Sequence, residues 1–105
     1  EDMRLRRVEP NVITCNAAIS ACEKGARSRE ALDIIADMRL RLMEPDVVSY
    51  NAAISACEKG AVWSEALGIL GDMRLRRLEP DVITYNAAIS ACEKGAGSRE
   101  ALDTL

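Results

Sequence analysis

Phenylalanine and histidine are absent from this chain, and aromatic residues make up only 3% of it. So few aromatics argue against a sheet, which draws on β-branched and aromatic side chains. Without histidine the usual acid–base group is missing. The four cysteines include no Cys-x-x-Cys pair, so a zinc site would need cysteines or carboxylates from scattered positions. No nucleophile–base pair, metal cluster or phosphate-cradling loop stands out, and we expect no catalysis, cofactor or metal. Positive charge is not in excess either: the net charge is −3, which excludes a polybasic clamp. Any attraction for an anion must come from local placement of cations. No run of 18 apolar residues occurs, so no transmembrane span is expected. The opening Glu-Asp-Met-Arg-Leu-Arg-Arg has the character of neither a signal nor a transit peptide.

What the chain does contain is repetition. Asn-Ala-Ala-Ile-Ser-Ala-Cys-Glu-Lys-Gly-Ala occurs at 16–26, 51–61 and 86–96, a period of 35 residues. A period in this range marks a stacked array, in which each unit buries its apolar face on its neighbours. Aligned on Val12, Val47 and Val82, the chain divides into repeats 12–46 and 47–81 and a truncated third, 82–105. Residues 1–11 match 36–46 and 71–81, so they read as the tail of an upstream repeat, its second helix. The whole reads as a window on a longer array without polar capping units, and its apolar end faces predict self-association.

Each repeat divides into two helical patterns. Val12, Cys15, Ile19 and Cys22 share one face of a first helix that runs to about Lys24, with Gly25 placed to stop it. The second helix is expected from about Ser28 to Leu42, with Ala31, Ile35, Met38 and Leu42 as its apolar stripe and Leu32 and Ile34 widening it. Pro45 ends the unit, and Asp46 and Asp81 are positioned to N-cap the next first helix. The expected fold is all-α, an α-solenoid of helix–turn–helix repeats. In that setting the cysteines are expected to pack as small hydrophobes in a reducing compartment.

A second stripe faces away from this core. Ile13, Asn16, Ser20 and Lys24 share one face of the first helix, repeated as Val48, Asn51, Ser55 and Lys59 and as Ile83, Asn86, Ser90 and Lys94. Helices stacked about 8–10 Å apart would turn these into rows of apolar, amide, hydroxyl and cationic groups. Such a surface suits a linear polymer.

The chain resembles the pentatricopeptide repeat proteins along its whole length. The resemblance rests on the period, on Val-x-x-Tyr-Asn opening the first helix, on Glu-Ala-Leu in the second, and on the closing segments Met38 to Asp46 and Met73 to Asp81. It implies a right-handed superhelix that binds single-stranded RNA sequence-specifically, one base per repeat. It further implies that Asn16 with Asp46, and Asn51 with Asp81, read pyrimidines, uracil before cytosine. Asn86 would also favour a pyrimidine, its partner lying beyond Leu105, and Asn11 would close an upstream unit. By the same resemblance, Ile13, Val48 and Ile83 sandwich bases and Lys24, Lys59 and Lys94 contact phosphates. The partner would be pyrimidine-rich RNA in a mitochondrion or chloroplast, with a role in RNA processing, editing or stability.

The residues also admit plainer readings. The asparagines could form a structural amide ladder, and each lysine would favour the negative end of its helix. Ser20, Ser55 and Ser90 would be solvated or bonded to the preceding turn. Trp63 would plug local packing, and the Arg39–Arg41 and Arg74–Arg77 segments and Asp33, Asp37 and Asp72 would be ordinary helix-face charges. Glu23, Glu58 and Glu93, beside the lysines, are expected to offset part of their attraction. Cys15 stands where the other repeats have Tyr50 and Tyr85, which face the core. The alternative function is a protein-interaction scaffold of tetratricopeptide-like type, binding a peptide on its concave face.

Overall fold

A computed structural model describes residues 11–95; the upstream tail over 1–10 and the stretch from 96 to 105 lie outside the described residues. Among the described residues five α-helices follow one another: α1 (Val12–Lys24), α2 (Ser28–Leu40), α3 (Val47–Lys59), α4 (Trp63–Leu75) and α5 (Val82–Lys94). They form an all-α helical repeat solenoid. α1 packs on α3 and α3 on α5, so the first helices of successive repeats make one continuous layer. α2 and α4 form the other layer, each resting on its own first helix and on the next.

The small residues of the repeated motif explain this stacking. Ala53, Ala56, Ala88 and Ala91 of the first helices are buried in the core, where short side chains let backbones approach. Ile19, Ile54, Met38 and Met73 are fully enclosed between the layers, each worth roughly 1.5–3 kcal/mol of apolar transfer. Tyr50 is buried on the core face and Tyr85 packs against it partly. Cys15, Cys57 and Cys92 are buried and unoxidised, and burial pushes the Cys57 thiol up to about 12. They pack as hydrophobes rather than react.

The helix ends depart from expectation in one respect. Gly25, Gly60 and Gly95 occupy the C-caps with ordinary negative φ, and the left-handed residue is the alanine after the first two. Ala26, Leu42, Ala61 and Arg77 all have φ of 57–62°. At each, the next amide reaches back to the third-last helical carbonyl: Arg27 N to Cys22 O at 2.9 Å, Met43 N to Met38 O at 2.8 Å, and likewise from Val62 and Leu78. These are four Schellman closures with no glycine at the reversal. Gly95 is needed for another reason: a Cβ there would lie 2.6 Å from the Ala61 carbonyl and 2.7 Å from Trp63 Cδ1. Trp63 is thus a local packing plug, wedged against the next repeat.

Leu42 is therefore no part of the apolar stripe. The second helix stops at Leu40, and Leu42, in the left-handed turn, is 94% exposed. Arg39 and Asp72 are also more than helix-face charges. Arg39 lies over the Tyr50 ring, 5.5 Å from its centroid, and ion-pairs with Asp72. Asp72 also accepts the Tyr50 hydroxyl at 2.7 Å and sits 3.4 Å from Arg76. This carboxylate ties α2, α3 and α4 together.

Candidate functional site

The first helices begin where an Asp or Asn side chain caps them. Asp46 accepts the Ser49 amide at 3.0 Å, and Ser49 Oγ accepts the Asp46 amide at 3.1 Å; Asp81 and Thr84 repeat the arrangement at the same distances. These reciprocal boxes satisfy two backbone donors that a helix start leaves unpaired. Asn11 caps α1 by accepting the Thr14 amide at 2.8 Å.

The caps also reach across to the preceding first helix. Asn16 Nδ2 donates to Asp46 Oδ1 at 3.4 Å, and Asn51 Nδ2 faces both Asp81 oxygens at 3.2 and 3.4 Å. Each Asn oxygen in turn accepts from a cap hydroxyl, Asn16 from Ser49 and Asn51 from Thr84. The amide is held from both sides, oxygen on hydroxyl and nitrogen on carboxylate. An ionised carboxylate only accepts and a hydroxyl can donate, so the flipped amide would face repulsion at the carboxylate. One Nδ2 proton and one Oδ1 lone pair remain to meet an incoming group.

The carboxylates are ionised accordingly. Partial burial pushes Asp46 up, but bonds from the Ser49 amide and hydroxyl and from Asn16 bring it below its ordinary value. The Thr84 amide and hydroxyl, with Asn51, hold Asp81 below its ordinary value too. Ser49 and Thr84 escaped the sequence reading, although an Asp followed three residues later by Ser or Thr was a visible signal.

Along the same helices stand the other predicted rows. Ile13, Val48 and Ile83 are 78%, 61% and 62% exposed, apolar side chains offered to solvent one repeat apart. Asn86 is exposed, and Lys24, Lys59 and Lys94 are exposed at the helix ends.

The cationic row is not free, however. Lys59 pairs with Glu23 at 3.4 Å, and Lys94 pairs with Glu58, each glutamate belonging to the preceding repeat. Adjacent residues on a helix do not face each other, so the offsetting charge comes from across the stack, not from the neighbouring glutamate. Ser55 and Ser90 donate to these same glutamates at 3.4 and 3.0 Å, rather than being solvated or bonded to the preceding turn. The bond from Lys94, against the upward push of burial and with help from Ser90, holds Glu58 below its ordinary value. Lys24 has no ion pair with a described residue.

Among the described residues no three His, Cys, Asp or Glu side chains gather as a metal site would require, and no helix is long and apolar enough to cross a membrane. What the surface offers is a row of oriented amides between apolar side chains.

The chain is similar to the crystal structure of the pentatricopeptide repeat protein PPR10 from maize, at 28% identity and a TM-score of 0.85 over 97% of its length. It is also similar to PPR10 in complex with an 18-nt psaJ RNA element, at 27% identity and a TM-score of 0.82 over 98%. It spans 15% of the length of either structure's chain. No curated protein matches it significantly. The PPR repeat family matches residues 10–59 and 45–94, and this chain, a helical hairpin solenoid over that span, belongs to it.

Proposed function

We propose that this chain binds single-stranded RNA, one base per repeat, and that Asn16/Asp46 and Asn51/Asp81 read successive pyrimidines, uracil preferred. The observation that carries the reading is the contact of each Asn with the Asp that caps the next first helix, at 3.4 Å and 3.2 Å, with the amide orientation set by Ser49 or Thr84. A held amide presents one donor and one acceptor at a defined place, which suits a pyrimidine edge. The exposed Ile13, Val48 and Ile83 provide apolar contact on either side of a base. Asn86 extends the row as a third pyrimidine-facing amide. The RNA-bound relative supports the partner class, since its similarity covers nearly all of this chain.

The chain acts by binding rather than catalysis on this reading, and an organellar RNA, mitochondrial or chloroplast, is the proposed target on the family resemblance alone. Affinities for U-rich, C-rich and A-rich oligonucleotides at low salt test the base reading, with U-rich tightest and A-rich weakest. Equal affinity for all three would overturn it. Asn51→Thr should move the preference of one base from pyrimidine toward purine, because a hydroxyl and a methyl replace the held amide. An unchanged preference would count against Asn51 as a reader.

A further inference from the structure

We propose that Glu23 and Glu58 are a built-in brake on RNA binding: each occupies the lysine of the following repeat, and a phosphate must displace it to be held. The inference rests on the RNA-binding reading above and adds to it the residues that limit the strength of the backbone contact. The ion pairs have the same geometry twice, glutamate from one repeat and lysine from the next, 36 residues apart.

The glutamate is the anchored partner. Its side chain is the less exposed, 24% for Glu23 against 44% for Lys59, and 21% for Glu58 against 51% for Lys94. A serine of the receiving repeat, Ser55 or Ser90, holds the same carboxylate from a second side. The lysine is the long flexible arm and carries the exposed end. A phosphate arriving at Lys59 or Lys94 therefore meets a cation already neutralised and a fixed carboxylate of like charge behind it.

Ion pairs of this exposure bias their lysine by about twofold to fivefold each, which slows capture without abolishing it. Lys24 has no ion pair with a described residue. Two of the three candidate phosphate contacts are restrained among the described residues.

The test is the salt dependence of binding to a U-rich oligonucleotide by the unmodified chain and by E23Q/E58Q. Glutamine keeps the size and can still accept the serine bond, but releases the lysine. The slope of log K against log salt is about −0.7 per phosphate neutralised on a single strand. We expect a slope between about −0.7 and −2 for the unmodified chain and about −2 for E23Q/E58Q, with roughly tenfold tighter binding at low salt. E30Q/D33N, which removes as much negative charge from the exposed side of α2, should leave the slope where it was. Adding K59M and K94M to E23Q/E58Q should erase the gain.

Several outcomes overturn the brake while leaving the RNA reading intact. They are a slope unchanged by E23Q/E58Q, an equal gain in E30Q/D33N, or a gain that survives loss of both lysines. If neither the unmodified chain nor any variant binds any oligonucleotide at low salt, the RNA reading itself fails and the brake with it.

Discussion

Replacing Leu42 with glycine should stabilise the protein, although glycine is ordinarily costly and leucine is a good helix former. Leu42 follows the C-cap of α2 with φ of 62° and is 94% exposed, so its side chain contributes almost no packing. An L-residue in the left-handed region costs roughly 1–2 kcal/mol through the contact of its Cβ with the backbone. Glycine removes that strain and gives back about 0.5–1 kcal/mol as extra freedom of the unfolded chain. The net gain is about 0.5–1 kcal/mol, or roughly 2–8 °C in midpoint for a domain of this size. Urea and thermal midpoints followed by far-ultraviolet circular dichroism would read it. A short series sharpens the test: Leu42→Asn should fall between leucine and glycine, and Leu42→Val should lie below leucine, because β-branching resists positive φ. A midpoint lowered by Leu42→Gly, or valine above asparagine, would refute the assignment of strain to this turn.

The converse substitution, Gly71→Ala, should also stabilise, by about 1 kcal/mol, since Gly71 lies within α4 and a Cβ there meets nothing within 4 Å; a lower urea midpoint would contradict the open space. Ile54→Ala, at a fully buried position between the layers, should cost about 2–5 kcal/mol by chemical denaturation. Acid should weaken the stack: Asp46 and Asp81 titrate below their ordinary value of 3.8 when folded, so their contribution is complete above that value and fades as pH falls through the lowered ones. Melting between pH 7 and pH 2 would show the loss setting in below about pH 4, and D46N/D81N should flatten it while keeping both caps. Ser49→Ala should blunt discrimination at the base facing Asn16 more than it lowers overall affinity, read by competition between U-rich and A-rich strands.

The solenoid was legible because one pattern carried it. A 35-residue period with two apolar stripes per unit leaves little choice but stacked hairpins, and the ends of α1 and α3 fall at the lysines the pattern marked. Leu42 was misplaced because periodicity extends an apolar stripe blindly, whereas the chain reverses one residue after the C-cap Arg41. The reversal itself was hidden because glycine is the usual signal for it and this chain uses alanine, leucine and arginine instead. Within the site, the Asn–Asp pairs followed from the family resemblance and the structure brings them into contact. The restraint on Lys59 and Lys94 did not follow, because local sequence sets each lysine beside its own glutamate while the stack sets it against another. Contacts between repeats depend on the superposition of helices, which a linear pattern encodes only through the period.

Asp46 and Asp81 each do two things at once, starting a helix and orienting an amide on the first helix before it. That overlap restricts the vocabulary open to the position. A residue there must accept a backbone amide from the first turn, which confines it to Asp, Asn, Ser and Thr if the helix is to keep its start. If the position reads a base as proposed, a change of preference written there is chosen from those four. The Asn at the other half of the pair carries no such duty and can vary more widely. On the proposed reading a repeat of this design is an asymmetric two-letter word: folding polices one letter and leaves the other to the ligand.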